Sequence, residues 1–281
     1  MREFFGVFRT HVKRGIISPK FLICSIFLTA LMILCVWNSW SEPVYWGTSN
    51  KGLNYFLDRV RGSSTDYFMM MIICFPAVML FYEDWRSGNF KLIINRSGRG
   101  KYAFATILAA GITAAAITVI SYLIFSAFVL TKYPLIPDQD PEQFRMSVIG
   151  FPNSGLLLTG KEILCYALYI LSQGARAAFF AAVALFQSMI ITNKHLTAIS
   201  PVLLYICYFT LNFYNFIPEL LNPYVLFWNG LRLYVIFGGS FDGSLFSPIA
   251  AAYPFVYSAM ILTILSIISA KLLRNKMNRS I

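Results

Sequence analysis

One segment of the chain nearly matches a nucleotide-binding loop, but it lacks the hydroxyl residue that such a loop needs to ligate Mg²⁺. Residues 155–162 read GLLLTGKE, which supplies the glycines and the lysine of the phosphate-binding pattern G-x-x-x-x-G-K-[S/T]. Glu162 stands where that pattern needs a hydroxyl to ligate Mg²⁺, and its carboxylate would repel a phosphate. No parallel strand is expected before this loop. We therefore predict that the chain itself binds no nucleotide and no other cofactor.

A second chemically unusual residue is Arg176, which lies deep inside a long apolar stretch beside Gln173. Placing such a charge in a membrane interior costs roughly 3 kcal/mol or more, so it usually faces protein or water. One interpretation is a polar element of a transport path or a subunit contact. The other is an arginine paired with a carbonyl or a neighbouring side chain for packing alone, and the sequence leaves both open.

The remaining residues that could catalyse a reaction or bind a metal are isolated from one another. His11 and His195 are the only histidines, and neither has a second ligand at metal spacing. The five cysteines all fall in apolar segments and form no Cys-x-x-Cys pair, which argues against a zinc site or a disulfide framework. An intramembrane enzyme would need a base paired with a nucleophile, or a metal. We predict no catalytic and no metal site.

The amino-acid composition indicates what class of protein the chain belongs to. The 281 residues are 58% hydrophobic and only 12% charged, with a mean hydropathy of +0.64, whereas soluble domains carry about 25% charge. We predict an all-α integral membrane protein with a single transmembrane domain over 1–281. Since a span needs about 20 apolar residues, the sequence predicts six, near 21–40, 67–82, 102–131, 163–192, 196–217 and 251–270.

Basic residues concentrate on one side of these spans and set their orientation through the positive-inside rule. The basic side comprises the N-terminal tail, the 83–101 loop, the 193–195 link and the C-terminal tail. It carries Arg2, Arg9, Lys13, Arg14, Lys20, Arg86, Lys91, Arg96, Arg99, Lys101, Lys194, Lys271, Arg274, Lys276 and Arg279. The longer loops of the other side carry Lys51, Arg59, Arg61, Lys132, Arg145, Lys161 and Arg232. Both termini are therefore predicted to be cytoplasmic.

Two segments are predicted to lie at the membrane without crossing it. Residues 1–18 are amphipathic, with Phe4, Phe8 and Val12 on one side of a helix, which is typical of an interface helix. The alternative is an ordinary basic flank of the first span. Residues 218–250 are apolar but broken by polar residues, glycine and proline, and we predict short re-entrant helices on the extracellular side. A seventh span there would place the basic C-terminus outside.

Small residues recur at helical spacing in two of the spans. The third span has Thr106, Ala110 and Ala114, and the fourth has Gly174, Ala178 and Ala182. Small side chains allow membrane helices to approach closely. We predict that these two spans pack tightly against each other or against a second copy of the chain.

The 83–101 loop is longer than a connection between two spans requires. It reads EDWRSGNFKLIINRSGRGK, with five Lys/Arg, two acids and three glycines around a short apolar stripe. This composition indicates a segment that is held at the membrane surface and contacted by a soluble partner. The alternative is a basic loop that lies on anionic lipid.

This loop resembles the coupling segment of the ABC-2-type transporter permease family. In that family an acid closing the second span is followed by a glycine, a basic residue, an apolar stripe and a Ser/Arg turn. The residues that match are Glu83, Asp84, Gly88, Lys91, Leu92, Ile93, Ile94, Ser97 and Arg99, while Arg96 replaces the usual proline. The segments 193–195 (NKH) and 222–224 (NPY) are also similar.

The resemblance implies a non-enzymatic permease subunit of a bacterial ABC exporter in the plasma membrane. Two copies of a separate ATPase subunit would carry ATP and Mg²⁺, and a second permease chain, identical or homologous, would complete the path. No nucleic acid partner is implied. Permeases of this kind export peptides, antibiotics, lipids, ions or glycans, and the high aromatic content favours a peptide or an amphipathic antibiotic as cargo. The alternative is a membrane anchor or sensor subunit that transports nothing and recruits a soluble partner.

The family's coupling helix would lie between the second and third spans of this chain. Its apolar anchor into the ATPase would be Trp85, Phe90, Leu92 and Ile93. Its orienting charges would be Glu83, Asp84, Arg86, Lys91, Arg96 and Arg99, with Gly88 at the turn. An apolar centre with a polar rim is the usual anatomy of a protein interface.

Overall fold

The structure of the chain is a computed structural model. It describes residues 2–41, 51–63, 65–137, 144–145, 148, 151–191, 199–200, 202–203, 206–207, 210 and 246–278. Within these residues the regular structure is helical and contains no strand. The helices are α1 (Arg2–Ile16), α2 (Pro19–Ser41), α3 (Leu53–Arg61), α4 (Asp66–Arg86), α5 (Asn89–Ser97), α6 (Arg99–Leu130), α7 (Ser154–Leu158), α8 (Glu162–Ile190) and α9 (Pro248–Asn278).

Five of these helices, α2, α4, α6, α8 and α9, are long and apolar enough to cross a membrane. The chain is therefore a multi-pass membrane protein, as its composition predicts. The second span is longer than predicted, because α4 begins at Asp66 and continues to Arg86. The predicted fifth span at 196–217 and the re-entrant segment at 218–250 lie mostly outside the described residues.

The centre of the bundle is an antiparallel pair formed by α6 and α8. Tyr122 meets Tyr169 at one level, with ring centroids 5.9 Å apart, and Gly111 faces Ala178 further along. Gly174 approaches α6 so closely that a Cβ added to it would lie 3.0 Å from Val119 Cγ2. Small residues therefore set the separation of these helices. Helices α1, α2, α4 and α9 pack around the pair.

The small residues identified in the sequence are all at least partly buried, but the face of α6 that meets α8 is turned slightly from the predicted one. Thr106, Ala110, Ala114, Gly174 and Ala182 are buried and Ala178 is half-buried. The residues of α6 beside Gly174 and Ala178 are Gly111, Ala115 and Val119. They lie one position after the predicted stripe, because α4 and α1 also pack on α6 and need its other faces.

The two ends of the bundle are built from different short helices. At one end, α1 lies against the start of α6, where Glu3 pairs with Lys101 and the ring centroids of Phe4 and Phe104 lie 5.6 Å apart. At the other end, the short helix α3 packs Phe56 against Trp40 and Tyr133, with ring centroids 5.5 and 4.6 Å apart. We call these the α5 end, since α5 lies there too, and the α3 end.

Candidate functional site

The loop between α4 and α6 folds into a separate short helix, α5. Gly88 precedes it with φ 72° and Gly98 follows it with φ 82°, conformations that side-chain-bearing residues rarely adopt. The two glycines therefore break the chain sharply at both ends of α5. Inside the helix, Ser97 Oγ donates a hydrogen bond to the Ile93 carbonyl oxygen at 2.8 Å. The result is a compact nine-residue helix held between two span helices.

The two faces of α5 have opposite roles, and this corrects part of the sequence-based interpretation. Phe90 is only 3% exposed and stacks on Trp85, with ring centroids 4.5 Å apart. Ile94 is buried on the same face. Leu92, by contrast, is 63% exposed, and Ile93 is half-buried. Phe90 was predicted to anchor a partner, but it belongs to the chain's own core, because α5 needs one apolar face to bind the bundle.

Asp84 is buried and Glu83 is partly exposed, and both bind cations of α1 and α2. Arg14 Nη1 donates to Asp84 Oδ1 at 2.6 Å, and its Nη2 donates to Glu83 Oε2 at 3.3 Å. Lys20 donates to the other oxygen of Glu83. These acids were predicted to orient a partner. They instead bind α1 and the start of α2 to the end of α4, and they neutralise the nearest cations.

Asp84 lies at the buried centre of this network. Its Oδ2 accepts a hydrogen bond from the Tyr102 hydroxyl at 3.0 Å, and His11 Nε2 lies 3.7 Å from the same atom. Asp84 and His11 are each 1% exposed. Burial lowers the pKa of His11, opposed by the charge of Asp84 and reinforced by that of Arg14. His11 is therefore held in its neutral form.

Four partners in this network were missed at the sequence level. From the sequence, His11 is considered only as a metal ligand and Arg14 and Lys20 only as topology signals, and Tyr102 is not singled out. The available signal was the pair of adjacent acids closing an apolar span, which needs cations nearby. The basic, amphipathic N-terminal segment is the obvious source of those cations. Their pairing depends on the angle at which α1 crosses α6, which no local pattern encodes.

The basic residues of the loop remain at the surface. Arg86, Lys91 and Arg96 are exposed and Arg99 is half-buried. Within the described residues none of these four cations has an acidic partner within salt-bridge distance. The outer surface of α5 is thus an exposed leucine among cations.

The second candidate site is the buried charge of α8, and the structure provides its partner. Arg176 Nη2 donates to Asp66 Oδ1 at 2.5 Å, and both side chains are only 4% exposed. Asp66 is the first residue of α4, where the helix dipole favours a carboxylate. Asp66 is not apparent as the partner from the sequence, because it lies 110 residues from Arg176 and just outside the predicted second span.

Aromatic and amide groups surround this ion pair. Gln173, one turn before Arg176, is buried, and its Oε1 accepts no hydrogen bond from the described residues. Tyr169 donates its hydroxyl to the Leu57 carbonyl oxygen of α3 at 3.3 Å. The pair joins two span helices, and both of its side chains are almost fully buried.

The segment that resembles a phosphate-binding loop is folded differently from one. Its residues Gly155, Leu156 and Leu157 are buried in the five-residue helix α7. The Lys161 amide donates to the Leu156 carbonyl oxygen at 2.8 Å rather than to an open cradle. In the part of the chain described by the structure, no group of three His, Cys, Asp or Glu side chains could hold a metal ion.

No protein-family model, no curated protein and no solved structure matches this chain. The basis for a functional proposal is therefore the geometry of the chain itself. The most distinctive feature of that geometry is the exposed face of α5.

Proposed function

We propose that the chain is the permease subunit of a bacterial ABC exporter, working with a separate ATPase subunit. The observation that carries this proposal is α5, a short helix inserted between two span helices and presenting Leu92 and several cations to solvent. A simple turn would need only a few residues. One face of this helix packs on the bundle and the other is exposed. A partner bound to the exposed face could therefore displace the helix and, through it, the bundle.

The network around Asp84 supports a mechanical role for this end of the molecule. It joins the end of α4, one turn before α5, to α1, α2 and α6 through direct hydrogen bonds and ion pairs. A displacement of α5 would therefore be passed to four helices together. In the proposed cycle, ATP binding draws two ATPase subunits together, and each moves the α5 of one permease chain.

The proposed assembly contains two permease chains, identical or homologous, and two ATPase subunits, with the α5 end in the cytoplasm of the cell. ATP and Mg²⁺ would be bound by the ATPase. The cargo would cross between the permease chains, and a peptide or an amphipathic antibiotic is the proposed class. The excess of basic residues at the α5 end favours this orientation, because such residues remain on the cytoplasmic side.

The test is to purify the chain in mild detergent from its native host and identify what accompanies it. A stoichiometric ATPase subunit whose hydrolysis rate changes with the permease present is the expected result. If other membrane complexes survive the procedure and no ATPase accompanies this chain, a membrane anchor or sensor would replace the transporter as the best description.

Two substitutions on α5 sharpen the test. Leu92→Ala should reduce ATP-driven transport while leaving the thermal stability of the permease unchanged, because Leu92 is exposed. Phe90→Ala should lower the permease's own stability by about 3 kcal/mol, because it removes a buried ring. Unaltered transport by the Leu92→Ala protein, with its expression matched to wild type, would contradict docking through this face.

A further inference from the structure

We infer that the partner surface that receives α5 is acidic, with an apolar pocket for Leu92 ringed by carboxylates. This inference rests on the proposed function and specifies the chemistry of its partner. Arg86 lies just before α5, and Lys91 and Arg96 lie on α5, at one position before and four positions after Leu92. All three are exposed. Residues four apart lie on the same face of a helix, so Arg96 and Leu92 point the same way.

The α5 end of the molecule has no spare negative charge to offset these cations. Its acids are Glu3, Glu83 and Asp84. Glu83 and Asp84 bind Arg14 and Lys20, and Glu3 binds Lys101 at 2.6 Å. Each acid at this end is therefore neutralised by a cation other than the three around Leu92.

The other acids of the chain are remote from α5. Asp58 and Asp66 are paired near the α3 end, and Glu162 begins α8. The remaining acids fall in sequence stretches predicted for the opposite side of the membrane: Glu42, Asp138, Asp140, Glu142, Glu219 and Asp242. The negative charge that complements α5 must therefore come from another molecule.

The surface anatomy of α5 favours a protein over a lipid headgroup as the source of that charge. Leu92 is an exposed apolar side chain among exposed cations, and an apolar centre with a polar rim is the usual anatomy of a protein interface.

Exposed charges that complement a partner mainly accelerate association and make it sensitive to salt. Neutralising Arg86, Lys91 and Arg96 together to Gln should weaken ATPase binding roughly tenfold at low salt, since each exposed pair contributes modestly. The difference from wild type should shrink as salt rises above about 0.15 M, where the Debye length is about 8 Å. Leu92→Ala should weaken binding by a factor that does not depend on salt.

The experiment measures the Kd of the co-purified ATPase for the full-length permease in a neutral detergent, as a function of NaCl concentration. The proteins compared are wild type, the triple Gln variant, Leu92→Ala and the control Lys161→Gln. Lys161 is an exposed cation that directly precedes α8, far from α5. Flotation with vesicles of phosphatidylglycerol, against vesicles of phosphatidylcholine, measures lipid binding of the same variants.

The expected result is salt-dependent ATPase binding that the triple variant weakens and Lys161→Gln does not. An ATPase that binds the triple variant as tightly as wild type, at every salt concentration, would overturn the acidic groove and leave the proposed function intact. Loss of vesicle binding alone would assign the cations to lipid and overturn the inference. Recovery of no ATPase would remove the proposed function and this inference with it.

Discussion

The two charged sites of this molecule differ in their access to water and in the number of groups that share the charge. Asp66 and Arg176 form a dry pair, each only 4% exposed, between two span helices. At the α5 end, Asp84 is equally buried, but Glu83, Arg14 and Lys20 are between 36% and 43% exposed. The first site is a closed contact, whereas the second extends from a buried centre to a wet rim.

This difference determines what each site can do. A buried ion pair recovers its desolvation cost only while both partners remain together, so it favours one arrangement of α4 against α8. The exposed pairs of the other site can exchange partners with water at little cost, because such pairs contribute about 0–1 kcal/mol, while its buried centre still links α1, α4 and α6. The Asp66–Arg176 pair is suited to fixing the position of α4 against α8. The network around Asp84 is suited to a contact that allows α1, α2, α4 and α6 to move relative to one another.

The largest effect is expected when one partner of the dry pair is removed. Arg176→Ala leaves the Asp66 carboxylate buried without its arginine, which should cost about 3–5 kcal/mol of stability. Replacing both, as Asp66→Leu with Arg176→Met, should restore most of that loss, because a buried pair exchanged for apolar side chains is often neutral. Thermal unfolding of the purified proteins in one detergent provides the measurement.

The same double variant separates the two roles that the sequence leaves open for Arg176. A stable double variant that still transports would assign Arg176 to packing. A stable double variant that assembles but no longer transports would place the pair on the transport path. Equal stability of wild type and Arg176→Ala would contradict the contrast between the two sites.

A smaller but still large effect is expected at the centre of the α5-end network. Asp84→Ala removes the acceptor for both Arg14 and the Tyr102 hydroxyl, and should weaken the attachment of α1 by about 2–3 kcal/mol. Amide hydrogen exchange along α1 would report this as faster exchange confined to that helix and its contacts. Glu83→Ala is the matched control and should cost less than about 1 kcal/mol, because its partners are partly exposed.

Comparison of these regions also shows which features a sequence can predict. The spans of α2, α6 and α8 follow from long, mainly apolar segments, since a membrane leaves few alternatives for such segments. The position of a separate helix in the 83–101 loop is consistent with its two bracketing glycines. These features depend on local composition and on the conformational preferences of single residues, and both can be read from the sequence.

Features that depend on the angle between helices could not be predicted. Phe90 and Leu92 are both apolar and two residues apart, and only the docking of α5 decides that Phe90 is buried and Leu92 exposed. Asp66 became the partner of Arg176 because α4 and α8 cross at the required level. Glu83 and Asp84 were assigned to an external partner, since the orientation of α1 is not visible in its periodicity.

The smallest predicted effect, and the one that most sharpens the comparison, is a dependence of α1 docking on pH. His11 is surrounded by Asp84 from α4, Tyr102 from α6 and Arg14 from its own helix. Burial holds the pKa of His11 below its ordinary value. As the pH falls, His11 therefore binds a proton more readily in undocked α1 than in docked α1. Because the undocked form binds the proton more tightly, protonation shifts the equilibrium toward undocking.

Docking should accordingly be strongest above the ordinary histidine pKa of about 6.5 and should weaken as the pH falls below it. Hydrogen exchange of α1, compared with exchange of α8 in the same sample after correction for intrinsic rates, would follow this between about pH 7 and pH 5. His11→Gln should flatten the dependence while leaving the Arg14–Asp84 pair in place. The Asp66–Arg176 pair contains no histidine, so α8 should remain equally protected over this range. A profile that is the same for wild type and His11→Gln would show that the carboxylates, and not His11, control the docking of α1.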